Sequence, residues 1–221
     1  MGPKNKDPKE VTTFPENQDY LVNHVRLNHP GVDIGPIQKQ AAAARAAGAD
    51  LVVACLHWSF EYQAYPRASL IDTGHRIIES GVDVILGNHA HHSQPIECYD
   101  YTDRATGEAK KGLIFYALGE LFSAHQPSYN SRLGNLAKFR VSKGVSAGKP
   151  SVRITSLQIL PVYLYRDKKD NFCRDYRVLD MRKLVDSLRE GRSPFEFSKE
   201  ERKAIFRLER LMYKILGPAL K

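Results

Sequence analysis

An α/β fold is predicted by the alternation of helical and strand patterns in the first half of this 221-residue chain. Residues 37–47 are rich in alanine and follow Pro36, a residue suited to the first turn of a helix. Two short apolar runs, 50–56 and 82–86, match strands that are buried on both faces. Because a second helical stripe lies between these runs, their order predicts a parallel βαβ unit.

Beyond this unit the pattern predicts further strands and then helices. Residues 112–118 form a third apolar run after a polar loop. Three more strands are predicted, at 136–141, 152–160 and 162–165. The first two are joined by a hairpin loop rich in Gly, Ser and Lys at 142–151. The end of the chain is predicted to be helical over 181–190 and 198–216, and Ser198 with Glu201 fits a capping box at the start of the last helix.

The composition is that of an ordinary globular domain. Hydrophobic residues make up 42% and charged residues 26%, which excludes a disordered or fibrous chain. The net charge of +8 permits an anionic partner without identifying one. The longest apolar run, 51–56, is far below the roughly 20 residues that span a bilayer, and residues 1–8 contain no apolar stretch typical of a secretory signal. The 3 cysteines form no CxxC pair, so neither a disulfide framework nor a cysteine zinc site is expected.

Histidines follow the ends of two predicted strands: His57 after the first, then His89, His91 and His92 after the second. Parallel strands bring their carboxyl ends to the same edge of a sheet. In an extended segment His89 and His91 would point to one side and His92 to the other. We therefore expect His57, His89 and His91 to converge as a metal or phosphate site, although strand-end histidines also occur as purely structural residues. The other histidines are interpreted as ordinary polar residues: His24, His29, His75 and His125.

Three segments together resemble the bacterial capsule-synthesis CapA (poly-γ-glutamate synthesis) family, whose members have the calcineurin-like metallophosphoesterase fold. Residues 57–66, HWSFEYQAYP, are similar to the family segment HWGxEYxxxP. Residues 81–97, GVDVILGNHAHHSQPIE, are similar to GADxVxGxHPHxxQPxE, and residues 113–119, LIFYALG, to IFYSLGNF. The segments occur in the family order and lie within about residues 36–123.

The resemblance implies a metallophosphoesterase-like α-β-β-α sandwich, partial in this chain, with a C-terminal helical extension. It also implies divalent metal ions (Mn, Zn or Fe), with His57 and His89 on one ion and His91 on the other. Glu61 would sit at the mouth of the site, where it is the catalytic candidate, either orienting a ligand histidine or contacting substrate. Four further residues are expected to line the site: Trp58, Asn88, His92 and Glu120.

Three positions depart from the family pattern. Ser59 replaces a glycine, a change between small residues that we expect to be tolerated. Ala90 replaces a proline between two of the histidines. Glu120 replaces an asparagine, and its negative charge would either repel an anionic substrate or supply an oxygen ligand. The pattern favours neither role for Glu120.

The strand ends that carry aspartates in the first half of the fold have no counterpart in residues 1–34. We therefore expect this chain to be the C-terminal part of a CapA-like domain, whose other half is missing or lies on a partner subunit. The expected organisation is a tail or remnant at 1–34, the CapA-like domain at 35–166 and a helical extension at 167–221. Without bridging carboxylates, one metal ion is expected rather than two.

Two functions stay open at this point. The first is metal-dependent phosphoester or acyl-phosphate chemistry in capsule or poly-γ-glutamate biosynthesis, on an anionic polymer or a phosphate-containing substrate. The second is a non-catalytic remnant or accessory subunit that binds an anionic polymer or a partner protein. Nucleic-acid binding is not expected, because Glu200, Glu201 and Glu209 interrupt the basic residues of the last helix. Family members are commonly membrane-associated, but this chain itself indicates no compartment.

Overall fold

A computed structural model describes residues 23–104, 106–123, 128–146, 149–169 and 172–217. Residues 1–22, which form most of the expected N-terminal tail, and His125 lie outside the described residues. The elements in chain order are α1 (Gly35–Ala46), β1 (Val53–His57), α2 (Ala68–Glu79), β2 (Val84–Asn88), β3 (Ile96–Thr102), β4 (Ala109–Phe115), a short 3₁₀ helix (Tyr129–Arg132), β5 (Leu133–Ser146), β6 (Lys149–Lys169), β7 (Phe172–Asp180), α3 (Met181–Arg189) and α4 (Lys199–Leu216).

The first sheet contains the predicted βαβ unit. Its strand order is β1-β2-β4-β3, with β1, β2 and β4 parallel and β3 antiparallel to β4. The register pairs His57 with Asn88, so the carboxyl ends of β1 and β2 lie side by side. The parallel arrangement predicted from the sequence is confirmed, and it brings the histidine-bearing loops to one edge of the sheet.

One face of the first sheet packs against α1 and α2. The buried residues of this core include Ile77 and Ile78 of α2 with Ile85 and Ile114 of the sheet. Pro36 stands at the start of α1 as predicted, where its missing N–H costs nothing because that group has no partner in a helix. The helices therefore form one apolar layer over β2 and β4.

The other face of the first sheet packs against the second sheet, whose order is β5-β6-β7. Phe115 of β4 shares one core cluster with Tyr163 of β6 and with Val185 and Leu208 from α3 and α4. Helices, two sheets and a second pair of helices thus form a mixed α/β fold. The fold agrees with the expected partial α-β-β-α sandwich.

Strand β1 corrects one sequence expectation. The run 50–56 was expected to be buried on both faces, but β1 is an edge strand with alternating exposure. Val53 is 40% exposed and Cys55 is exposed. The physical reason is position, because among the described residues β1 has a strand neighbour on one side only. Apolar composition does not distinguish such a strand from a central one.

The C-terminal half contains more strand than the sequence predicts. Strands β5 and β6 continue through most of the expected hairpin loop at 142–151. Residues 141–145 are exposed although they lie in paired strand, so the Gly, Ser and Lys residues of this segment did not indicate a loop. The expected helical extension at 167–221 contains strand β7 before its two helices, because 172–180 pairs along β6. The domain boundary before residue 167 stays a prediction. The antiparallel β3 is a further strand that the sequence did not predict, and it precedes the polar loop that contains Asp103 and Gly107.

The C-terminal helices follow the sequence closely. Ser198 and Glu201 form the predicted capping box of α4. Its apolar stripe is buried, with Ile205, Leu208 and Met212 each 0% exposed. Within the described residues no helix combines the length and the hydropathy needed to cross a membrane.

Candidate metal centre

Two loops at the carboxyl edge of the first sheet carry most of the candidate residues. His57 is the last residue of β1 and His89 is the first residue after β2. Their ring centroids are 4.5 Å apart, and the centroids of His89 and His91 are 6.2 Å apart. The structure therefore brings the three predicted imidazoles together in one row along this edge.

The three histidine rings come together for a different reason from the one that the sequence suggested. Alternation in an extended segment was expected to place His89 and His91 on one side, but both residues have left-handed backbone, with φ of 91° and 54°. Ser59 and Tyr62 in the loop after β1 also have positive φ, at 79° and 61°. Such angles are uncommon for residues other than glycine and cost about 1–3 kcal/mol each. The two loops are therefore tight turns rather than strand extensions.

Hydrogen bonds hold the two loops in these conformations. The amide of Tyr62 donates to the carbonyl of Ala90 at 2.8 Å, which joins one loop to the other. Asn28 clamps the first loop, because its Oδ1 accepts from the amide of Ser59 at 2.8 Å and its Nδ2 donates to the Ser59 carbonyl at 2.7 Å. The buried Gln94 donates from Nε2 to the carbonyl of Gln63 at 2.9 Å. Asn28 and Gln94 were not among the predicted site residues.

Trp58 supports the site from below. Its side chain is 1% exposed, and its Nε1 donates to the carbonyl of Tyr116 at 2.9 Å. Its amide donates to the carbonyl of Asn88 at 3.2 Å, while the Asn88 residue itself is exposed. A Cβ on Gly87 would lie 2.3 Å from Trp58 Nε1, so only glycine leaves room for the indole there. Trp58 thus forms part of the core beneath the loops.

Glu61, His89 and His91 form a group of possible metal ligands. One ligand atom from each lies within 4.8 Å of the others, and Glu61 Oε1 is 3.9 Å from His91 Nε2. The side chain of Glu61 is 50% exposed and that of His91 31%, so the group is open to solvent. Two imidazole nitrogens and one carboxylate oxygen suit zinc, iron or manganese. His57 lies next to His89 and stays a predicted ligand outside this group of three.

The protonation of His89 suits a ligand. Burial lowers the pKa of His89, and the neighbouring His57 lowers it further, whereas the Glu61 carboxylate acts in the opposite direction. A lowered pKa keeps the ring neutral at pH 7, and the neutral ring is the form that binds metal ions. The donor chemistry of the group therefore fits the divalent ion that the resemblance implies.

Glu120 lies beneath the second loop rather than at the mouth of the site. Its side chain is 6% exposed, and its Oε1 is 2.6 Å from His91 Nδ1. Neither role left open by the sequence describes this contact, in which the carboxylate holds a histidine. The sequence contained a signal for this position. Glu120 follows β4, which is adjacent and parallel to β2, so the loop after β4 reaches the same edge of the sheet.

Two aromatic side chains complete the surroundings. Tyr62 stacks on His91 with centroids 5.6 Å apart and meets His92 edge-on at 5.7 Å. His92 is 6% exposed, its Nε2 lies 3.5 Å from Ser128 Oγ, and burial lowers its pKa. His92 thus lies to the side of the ligand group as a buried neutral ring, and Tyr62 was not among the predicted site residues.

A comparison with protein families shows the class to which this chain belongs. The family model described as bacterial capsule synthesis protein PGA_cap matches residues 2–125, more than half of the 221 residues, and the chain belongs to this family. The membership confirms the resemblance drawn from the histidine-containing segments.

Individual relatives match shorter parts of the chain. It is similar to the capsule biosynthesis protein CapA of Bacillus anthracis, with 33% identity over 91 residues that cover 41% of this chain and 20% of the relative. It is 29% identical to the PGA biosynthesis protein CapA of Bacillus subtilis (strain 168) over 123 residues, 56% of this chain and 29% of the relative. A probable polyglutamine synthesis accessory protein of Mycobacterium tuberculosis is 29% identical over 83 residues, 34% of this chain and 22% of the relative. The matched part thus spans less than a third of each of these relatives.

Proposed function

We propose that this chain binds a divalent metal ion and takes part in phosphoester or acyl-phosphate chemistry during capsule or poly-γ-glutamate biosynthesis. The relatives whose names refer to capsule, PGA or polyglutamine synthesis support the biological setting. The observation that carries the chemical part is the convergence of ligand atoms from Glu61, His89 and His91 within 4.8 Å.

The proposed ligands have distinct roles. His89 and His91 offer imidazole nitrogens, and Glu61 offers a carboxylate oxygen whose negative charge balances part of the charge of a divalent ion. When bound, such an ion polarises a phosphoryl oxygen and lowers the pKa of a bound water. His57, with its ring 4.5 Å from that of His89, is the next candidate to complete the shell. Because half of its side chain is exposed, Glu61 is also the residue best situated to contact a substrate.

We propose one ion rather than two for the described residues. The group of possible ligands contains a single carboxylate, Glu61, and two imidazoles. A dinuclear centre needs ligands for both ions, whereas three ligands suit one ion with positions left for water and substrate. The second set of ligands would come from outside the described residues, on this polypeptide or on a partner subunit.

Metal analysis of the full chain tests the proposal. After incubation with Mn²⁺, Zn²⁺ or Fe²⁺ and removal of excess ion, we expect about one equivalent of one of these metals, and a loss of most of it in His89→Ala. His75→Ala is the matched control, because His75 pairs with Glu97 on a different part of the sheet. Equal metal content in wild type, His89→Ala and His75→Ala would contradict the proposal.

A second candidate function is binding of an acidic polymer without catalysis. It is favoured by a shallow groove of about 540 Å³ beside α4. Three exposed cations of α4, Lys203, Arg207 and Arg210, line the groove, and none has a carboxylate partner among the described residues. The nearby Glu201 and Glu209 of the same helix are engaged by Arg132 and Arg189. The groove therefore has a net positive charge, because its lining contains three cations and one carboxylate, Glu200.

Binding of poly-γ-glutamate distinguishes the two functions. If α4 binds the polymer, affinity falls steeply with salt, is lost in Lys203→Glu/Arg207→Glu, and is unchanged when His57, His89 and His91 are all replaced by alanine. If the metal group binds it, the histidine replacement abolishes binding and the α4 replacement does not. Lys138→Glu, on the exposed hairpin of the second sheet, is the control for a general change of net charge.

A further inference from the structure

The carboxylate of Glu120 has one hydrogen-bond partner among the described residues. Its Oε1 lies 2.6 Å from His91 Nδ1, while its Oε2 is buried without a hydrogen-bond partner. Burying a carboxylate is costly unless it is paired. The contact with His91 is therefore the interaction that offsets the cost of holding this charge at 6% exposure.

The contact determines which nitrogen of the His91 ring can bind a metal ion. Because an ionised carboxylate only accepts hydrogen bonds, a neutral His91 ring donates from Nδ1 to Glu120 in this pair. The lone pair of the neutral ring then lies on Nε2, the atom that is 3.9 Å from Glu61 Oε1. A carboxylate on the far nitrogen also makes a ligand histidine more basic. We propose that Glu120 is the positioning residue of the metal site, which fixes the orientation and tautomer of His91; this inference rests on the proposed function.

The backbone around Glu120 is suited to such a role. Gly119 has φ of +74°, and a Cβ at this position would lie 2.5 Å from the Leu133 carbonyl and 2.7 Å from Ser93 Oγ. The amide of Asn135 donates to the carbonyl of Leu118 at 2.8 Å, which ties this turn to β5. The turn is therefore packed directly on the second sheet, so the carboxylate is held by a rigid element.

A second histidine–carboxylate pair, between a helix and a strand, provides a matched control. His75 Nε2 lies 2.9 Å from Glu97 Oε1, and both side chains are partly exposed. This pair joins α2 to β3, away from the ligand group. Replacing Glu97 by glutamine changes the same kind of contact and the same charge, so it separates a local effect at His91 from a general effect of losing one carboxylate.

Calorimetric titration of the full chain with Zn²⁺ and with Mn²⁺ measures the effect. We expect Glu120→Gln to weaken metal binding about 10- to 100-fold, because the amide neither carries the charge nor selects the tautomer. Glu120→Asn, which restores the residue of the family pattern, is expected to show a loss in the same range because its shorter side chain does not reach His91. Glu97→Gln is expected to bind within about twofold of wild type.

A measurement without metal tests the mechanism separately. In the metal-free, ¹⁵N-labelled protein, the ring nitrogens of His91 should report a protonated Nδ1 in wild type and a mixture of tautomers in Glu120→Gln. This readout requires only that the variant is folded, and Glu120→Asn serves where the glutamine variant does not fold. Unchanged His91 nitrogen shifts together with unchanged metal affinity overturn the positioning role.

The failure of this inference is distinguishable from the failure of the proposed function. If Glu120→Gln binds metal like wild type while His91→Ala loses binding, the metal site stands and the role of Glu120 is wrong. If His91→Ala and His89→Ala also bind like wild type, the metal site itself is wrong.

Discussion

The loops that follow β1 and β2 differ from the C-terminal helices in how regular their backbone is. Among the described residues, those with positive φ that are not glycine all lie in the two loops: Ser59, Tyr62, His89 and His91. In contrast, α3 and α4 begin with side-chain caps, at Asp180 and Ser198. Capping stabilises a helix by about 0.5–2 kcal/mol, whereas each left-handed residue costs about 1–3 kcal/mol.

This difference separates stability from chemistry within one chain. The regular second half, with its buried face on α4, contributes stability through apolar burial. Backbone strain in the irregular loops offsets part of that stability, and these loops bring His89, His91 and Glu61 within reach of one another. Residues in the two regions should therefore respond differently to substitution, which gives four expectations in order of decreasing size.

The largest effect is expected in the core of the C-terminal half. Leu208 is 0% exposed, so Leu208→Ala should lower the free energy of unfolding by about 2–5 kcal/mol through lost burial and a cavity. Metal affinity of the folded fraction should stay unchanged, because the core cluster around Leu208 contains none of Glu61, His89 and His91. Chemical denaturation and calorimetry measure the two quantities. A loss below 1 kcal/mol, or a clear change in metal affinity, would break the proposed separation.

A smaller loss of stability with a loss of metal binding is expected for Gly87→Ala. A Cβ there would lie 2.2 Å from the Tyr116 carbonyl and 2.3 Å from Trp58 Nε1, so β2 and the indole must move apart at a cost of about 1–3 kcal/mol. Since the indole supports the first loop, metal affinity should fall as well. Gly144→Ala is the control, because nothing lies within 4 Å of its Cβ position. Equal behaviour of the two variants would show that this packing is unimportant.

Relief of backbone strain is expected for Ser59→Gly. The residue has φ of 79°, where glycine avoids a cost of about 1–2 kcal/mol, but glycine also gains freedom in the unfolded chain and loses the weak contacts of the hydroxyl with Gln94. We expect a net stabilisation of about 1 kcal/mol or less in thermal unfolding. A destabilisation of more than about 1 kcal/mol would show that the hydroxyl outweighs the strain.

The fourth expectation is that the free energy of unfolding depends on pH in the mildly acidic range. Burial lowers the pKa of His92 in the folded state, so the unfolded chain binds a proton first as the pH falls below about 6.5. The free energy of unfolding should therefore decrease as the pH falls from about 6.5 through the lowered pKa. Unfolding curves of metal-free protein between pH 7.5 and 5 measure this slope, and His92→Asn should reduce it and leave the part that comes from the lowered pKa of His89. An equal slope in the variant assigns the effect to other groups.

Local patterns were sufficient for part of the fold. Pro36 and the alanines after it predict α1, and the capping box at Ser198 predicts the start of α4. The order of apolar runs predicts the parallel pairing that sets His57 beside His89. These features depend on spacing along the chain or on a general rule about parallel sheets.

The remaining features depend on contacts between distant segments. The exposure of Cys55 follows from the edge position of β1, and the Gly, Ser and Lys residues expected to form a loop lie in the exposed end of the paired strands β5 and β6. The contact between Glu120 and His91 depends on a turn packed against the second sheet. The sequence places the negative charge of Glu120 near the site, but it does not show that this carboxylate contacts His91.

Anomalous diffraction from crystals of the full chain grown separately with Mn²⁺, Zn²⁺ and Fe²⁺ tests the central claim most directly. The account predicts that at least one of these ions gives one strong peak bounded by the Glu61 carboxylate and by nitrogens of His89 and His91, with Nε2 as the ligand atom of His91. Well-ordered side chains of these three residues without such a peak, or a single peak bound elsewhere on the chain, would contradict it.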